Sequence, residues 1–335
     1  MVPFSILDLA PIVVGGDAGQ SFRNSLDLAR HAERWGYRRY WLAEHHGMTG
    51  IGSASTSVLI GFVAGGTKTI RVGAGGIMLP NHSPLVIAEQ FGTLECLYPG
   101  RIDLGIGRAP GAGPAVARAL RHRLTGGEDS FPEDVVELLG YLAPAQPGAA
   151  VLAVPGAGLP VPVWLLGSSL YSAHFAAALG LPFAFASHFA PELLMPALHA
   201  YRSSFRPSGA IERPYAMIGV NVFAADTDAE GELLFSSLEQ MFLRLRTTGD
   251  TGLLGPPIEG FHQTLPAPVQ AFIDQTFTYA AKGSPAAVRR RLEQVLAETG
   301  ADELMISGQI FDHAARLRSF EIAATVCSEM NEATS

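Results

Sequence analysis

Lysine is nearly missing from this chain: only Lys68 and Lys282 stand among 23 basic residues, and the rest are arginine. Cysteine is as rare, with Cys96 and Cys327 alone. Two distant thiols build neither a disulfide framework nor a zinc site, so both are expected to be buried core residues. Charged residues make up only 16% of the chain, with a net charge of −8. A mildly acidic surface repels phosphate backbones, which argues against a nucleic-acid partner. No apolar run reaches ~18 uninterrupted residues, even in the greasy stretch 161–201, so no membrane span is expected. The opening MVPFSILDLAP has no basic segment and no small-residue cleavage pattern. A soluble cytoplasmic protein is the expectation. Also missing are a Walker loop, a dinucleotide-type glycine spacing and any short-period repeat.

What is present is a regular alternation. At 335 residues and 48% hydrophobic, the chain can bury a large core. Eight short apolar runs are each followed by a helical pattern: FSILDL (4–9), RYWLA (39–43), IRVGA (70–74), IDLGI (102–106), PVWLL (162–166), FAFAS (183–187), AMIGVNV (216–222) and ELMIS (303–307). The first helix is expected to be capped by Ser21 and ended at Gly36, and a late one to start on a Ser284 cap with Pro285 following. Nearly continuous apolar strands separated by helices predict a parallel sheet with a covered outer face. Eight such units predict an α/β protein, a closed (β/α)8 TIM barrel spanning 1–335 as one domain, with an open doubly wound sheet as the alternative. The Gly- and Pro-rich stretch 245–283 is too long for an ordinary connection. It reads as a mobile lid, inserted before the last βα unit and lying over the C-terminal face of the barrel.

Barrel active sites form where strands end. The second run ends on Glu44, His45 and His46. Adjacent residues in an extended chain point to opposite faces, so the two histidines are not expected to share an ion, and no metal is expected. His45, at the strand end, is the acid–base candidate. The third, fourth and fifth runs lead into GAGGIMLPNHSP (73–84), GIGRAPG (105–111) and GSSLYSAHFAA (167–177). The last is a strand-to-helix turn whose free amides and serines Ser168 and Ser169 suit a phosphate, with Arg108 as a forked donor. A phosphate-bearing mononucleotide fits better than a dinucleotide or a triphosphate.

The strings WLAEHHGM, RVGAGGIMLPNHSPLVIAEQFGTLECLYPGRIDLGIGRAPG, VWLLGSS and LGLPFAFASHFAPE resemble the bacterial luciferase-like monooxygenase superfamily, and most closely its single-chain alkanal-monooxygenase-like, FMN-linked subgroup. The resemblance implies a barrel that binds reduced FMN at its C-terminal mouth and reacts it with O2. It implies that His45, with Glu44 beside it, supports the oxygen chemistry. A non-proline cis peptide is implied at Ala74–Gly75 against the flavin ring. Asn81 and His82 are implied to line the flavin pocket, and Arg108, Gly167, Ser168 and Ser169 to hold the phosphate. Two departures stand out: Leu170, expected to crowd the phosphate turn, and Ala112–Gly113, where relatives carry Thr-Asp. Gly107 lies where true luciferases can carry a cysteine, so light emission is not implied.

The implied reaction passes through a flavin hydroperoxide and puts one oxygen atom on an apolar organic substrate, such as an aldehyde or a secondary-metabolite intermediate. A separate flavin reductase supplies the reduced FMN, since no nicotinamide-binding motif occurs. The alternatives are an F420-dependent hydride-transfer oxidoreductase and a flavin-binding protein without turnover. Small residues after the second and third strands, including Gly61, Ala64, Gly65, Ala88 and Gly92, point to a homodimer.

Overall fold

Each apolar run forms a strand because both of its faces find apolar cover: helices outside, other strands' side chains within. In the computed structural model, residues 2–108, 114–120 and 130–333 are described. The order is β1 (Phe4–Asp8), α1 (Ala18–Arg34), β2 (Arg39–Leu42), α2 (Thr56–Gly66), β3 (Arg71–Met78), α3 (Pro84–Leu97), β4 (Ile102–Gly107), α4 (Pro114–Leu120) and α5 (Phe131–Leu142). Then come β5 (Val163–Gly167), α6 (Leu170–Leu179), β6 (Phe183–Phe185), α7 (Leu194–Ser204), β7 (Ala216–Ala224) and α8 (Asp228–Thr248). The chain ends with α9 (Phe261–Thr264), α10 (Ala267–Thr276), β8 (Ala281–Gly283), α11 (Pro285–Thr299), β9 (Glu303–Ser307) and α12 (His313–Glu332). Strands β1 to β7 pair in parallel in sequence order, and β9 sits between β7 and β1. Pairing of β6 with β7 closes the ring, giving the expected eight-stranded barrel. The short β8 pairs with the end of β7 alone and was not legible in the sequence.

Two local expectations are corrected. The first helix is capped by Asp17, whose carboxylate accepts from the Gln20 amide, and Ser21 is buried inside the helix. Cys96 is exposed on α3, because its neighbours Leu94 and Glu95 take the inward positions; only Cys327 is buried. Some of the small residues of α2 and α3 pack within the chain, while Gly65 is exposed. Ala64 and Ala88 are buried, and a Cβ at Gly92 would lie 2.3 Å from the Pro155 carbonyl oxygen. The Ser284 cap forms as expected, accepting from the Ala287 amide.

The 245–283 stretch begins inside α8, which continues to Thr248, and then forms α9 and α10. It is held at several points. The Leu254 amide donates to the Ile12 carbonyl at 2.9 Å, Asp250 accepts from the Thr49 amide and hydroxyl, and His262 bonds Glu239 at 2.7 Å. Phe277, Ile273 and Leu254 complete a separate apolar cluster with Phe223, Phe235 and Met241.

Inside the barrel, side chains stack in layers. At the bottom, Arg39 reaches Asp103 at 2.9 Å and Glu303 at 3.0 Å, all three buried. Arg71 adds a second cation on Asp103, at 2.7 Å. Above them, Trp41 and Trp164 meet edge to face, with Leu7, Met217 and Met305 beside them. The bottom layer is a charged network with its polar atoms paired, so removing one member strands the others. Arg39→Met is expected to cost about 3–5 kcal/mol of unfolding free energy in denaturant titration. A loss below about 1 kcal/mol would contradict this role.

Candidate active site

Above the tryptophan layer the barrel interior is open. A cavity of about 400 Å³ lies at the C-terminal ends of the strands, within the range typical of small-molecule sites. Its floor is Leu7, Trp41, Met217 and Met305. Gly75, Gly76 and Gly107 bring bare backbone to its wall, and Phe189, Phe242 and Phe277 roof it. Phe277 and Thr251, from the stretch after α8, belong to the lining.

At one end stand Arg108, Gly167, Ser168, Ser169, Tyr171 and Ser172. The Arg108 guanidinium lies 4.7 Å from the Tyr171 ring centre and has no acidic partner among the described residues. Ser169 caps α6 in a reciprocal box with Ser172, which fixes the turn. Only glycine fits at 167, where a Cβ would meet the Ser172 hydroxyl at 2.3 Å. Leu170 points outward and is 39% exposed, so it does not crowd this turn as expected. The Ala112–Gly113 departure lies outside the described residues. An unpaired guanidinium, two hydroxyls and the first amides of a helix fit a phosphate. The glycine-walled apolar slot beside them fits a flat ring, so the residues present suit a flavin mononucleotide.

His45 lines the cavity and His46 does not, as the alternation of an extended chain requires. Burial pulls the His45 pKa down to about 4, with the Glu44 charge opposing and His46 assisting. The ring is therefore neutral near pH 7. Glu44 stands behind the cavity wall. Its Oε1 is shared by His46 Nε2 at 2.7 Å and His82 Nε2 at 2.9 Å, and its Oε2 accepts from the Met78 amide at 3.1 Å. Burial pushes its pKa up, but the bonds from His46, His82 and Met78 outweigh this and carry it down to about 2. The three ligand-type atoms lie within 4.8 Å of one another, and as they stand they satisfy each other.

The remaining expected site residues are placed less directly. Asn81 is buried in the short turn before α3 and His82 is turned toward Glu44, so neither lines the cavity. The non-proline cis bond is Gly75–Gly76, one residue beyond Ala74–Gly75. Both of its glycines line the cavity, while Ala74 faces the outer core. Sequence reasoning missed His188, Asn221, Thr251 and Gln309, all on the cavity wall. His188 and Gln309 lie just past strands and Thr251 inside the long insertion, positions to which no role was tied, while Asn221 is hidden within β7.

Comparison with known proteins agrees with this geometry. The family profile described as luciferase-like monooxygenase matches residues 2–303. A protein of Escherichia coli K12 named luciferase-like monooxygenase is 56% identical over 329 residues, covering 98% of both chains. The N-acetyl-S-alkylcysteine monooxygenase of Bacillus subtilis is 36% identical over 252 residues, 73% of this chain and 75% of that one. Among solved structures, apo-MsnO8 superposes with a TM-score of 0.90 at 36% identity, covering 98% of this chain and 99% of that one. A type II Baeyer-Villiger monooxygenase in complex with FMN shares the fold at a TM-score of 0.72 and 17% identity, with 96% of each chain covered. The barrel, its glycine-walled hollow and these matches agree: the chain belongs to the luciferase-like monooxygenase family.

Proposed function

We propose that the protein uses reduced FMN and O2 to place one oxygen atom on an apolar organic substrate, with the flavin delivered by a separate reductase. One observation carries this reading. A single apolar hollow has an arginine without an acidic partner among the described residues and a serine-rich helix start at one end, and a neutral, buried imidazole in its wall. When bound, reduced flavin supplies the electrons that activate O2.

The chain's own residues do the rest. Arg108, Ser168 and Ser169 hold the phosphate. Gly75, Gly76 and Gly107 let a ring lie against backbone. Phe189, Phe242 and Phe277 keep bulk water out, which a reactive oxygen species requires. His45 offers one uncharged ring N–H to oxygen atoms in the hollow. Glu44 acts as a positioning residue: held ionised, it ties the end of β2 to the Met78 amide at the end of β3. The stretch 245–283 serves as the lid, contributing Phe277 and Thr251 to the roof. The lining has few polar groups, which suits an aldehyde, ketone or similar oily molecule. Substrates of that kind arise in secondary metabolism, and the reaction needs no membrane or nucleic acid.

Anaerobic titration with reduced FMN, followed by admission of O2, tests the reading. Wild type is expected to bind and to change the time course of flavin reoxidation. Arg108→Ala should weaken binding by roughly 10- to 100-fold, the loss of a charged hydrogen bond. His45→Ala should bind within a few-fold of wild type yet lose about 100-fold or more in oxygenation. Tight binding of reduced F420 with no effect on flavin reoxidation would move the protein to hydride transfer. Binding without any change in reoxidation would make it a non-catalytic flavin carrier.

Acid stability follows from the two cavity histidines. Burial holds His188, like His45, down to about 4, and the His45 charge adds to this. Both folded values lie below the ordinary 6.5. Their contribution to stability is therefore complete above pH 6.5 and is lost as pH falls from 6.5 toward 4. The Glu44 contribution is lost lower, between 4.5 and about 2. Thermal melts should fall in this upper window for wild type and less steeply for His188→Gln; identical slopes would contradict it.

A homodimer through α2 and α3 is supported by apolar side chains that their inner faces leave outside, namely Val58, Phe62 and Val86. Sedimentation at micromolar concentration should give a dimer for wild type and a monomer for Phe62→Asp. A monomeric wild type would end this part of the reading.

A further inference from the structure

His188 follows β6 and lines the same cavity as His45. Its backbone is fixed: Asn221 Nδ2 donates to the His188 carbonyl at 2.6 Å, and the Ser187 hydroxyl donates to the Gly219 carbonyl at 2.7 Å. Its ring is fixed too. The Nδ1 edge lies in a notch at Gly219, where a Cβ would stand 2.2 Å from Nδ1. That nitrogen is sealed from solvent and has no hydrogen-bond partner among the described residues, and the same holds for His45 Nδ1.

These two sealed nitrogens decide which nitrogen carries the proton. A buried N–H with no acceptor is costlier and rarer than an under-used lone pair. At His188 the neighbour is a Cα–H of glycine, which tolerates a lone pair better than a second hydrogen. Each ring therefore keeps its proton on Nε2, the nitrogen left to the cavity. Both rings stay uncharged near neutral pH, since burial disfavours protonation of each, helped by His46 at His45 and by His45 at His188. Each is then a donor at one nitrogen only.

We propose that His188 is a second donor paired with His45, and that their two Nε2–H groups converge on one acceptor oxygen in the hollow. Uncharged donors preset in an apolar site stabilise an oxygen that is gaining negative charge without first binding a counter-ion. Two sources of such an oxygen fit: a carbonyl of the organic substrate, or O2 as it takes up electrons. The donor pair itself stands on the cofactor-free structure. Only the second source rests on the flavin reading above.

The test needs no flavin. In protein carrying 15N-histidine at pH 7, two rings should show the Nε2–H form with a bare Nδ1. Decanamide, an unreactive carbonyl probe, and azide, a small-anion probe, are then titrated separately. A shift of both Nε2–H signals with decanamide assigns the pair to a substrate carbonyl. A shift with azide alone assigns it to the oxygen side. His188→Phe should weaken the effective probe about 10-fold, the loss of one hydrogen bond, while His188→Gln, which keeps a donor, should lose about 3-fold or less. Gly219→Ala, which fills the notch, should behave like His188→Phe with the fold intact by circular dichroism. An Nδ1–H form in either ring, no response to both probes, or equal binding by the Phe and Gln variants would overturn the pairing. Each of those results leaves reduced-FMN binding, measured separately, unaffected as a test of cofactor use.

Discussion

The hollow depends on glycine at the places where strands β3, β4 and β7 pass the barrel mouth. At Gly76 a Cβ would lie 2.7 Å from the Gly105 carbonyl oxygen, and at Gly105 one would lie 2.2 Å from that of Ala74. Strands β3 and β4 approach more closely than side chains allow, and their register shifts between Ala74 and Ile77, while Gly219 on β7 makes room for the His188 ring. The result is a wall of bare backbone where most barrels have branched side chains filling the interior. Below it the interior is filled, first by Trp41 and Trp164, then by the Arg39–Asp103–Glu303 network. A rigid, charged lower half supports an empty, apolar upper half.

Electrostatics divides the upper half again. One end carries Arg108, without an acidic partner among the described residues, and the start of α6, a pairing that suits an anion. The wall near β2 and β6 carries two uncharged imidazoles. Glu44, strongly acidic, is kept out of the cavity by its bonds to His46, His82 and Met78. Its full charge is thus compensated behind the wall, and of Glu44, His45 and His46 only His45 reaches the hollow. This is how a strand can end on a glutamate and two histidines while exposing only one of them to chemistry.

Much of this was legible in the chain. The eight strands announce themselves because parallel strands buried on both faces are nearly continuous apolar runs. His45, Arg108 and Ser168 were findable because they sit immediately after such runs. Other features depend on distance in space and left no local trace. Asp103 and Glu303 look like ordinary strand-edge charges until the barrel brings Arg39 between them. His188 lies in SHFAP, inside a string that carries the family resemblance but with no role attached to it, and its ring packs against Gly219, 31 positions later by sequence number. The cap at Asp17 rather than Ser21 shows how local rules place an element but miss its boundary, and the cis bond at Gly75–Gly76 lies one residue beyond where the family resemblance put it.

The most direct test is a crystal structure of the protein soaked with FMN under reducing, anaerobic conditions. The phosphate should contact Arg108, Ser168 and the first amides of α6, with the ring lying along Gly75–Gly76 and its face open toward His45 and His188. A flavin bound elsewhere, or one whose phosphate points away from Arg108, would contradict the assignment of this hollow as the catalytic chamber.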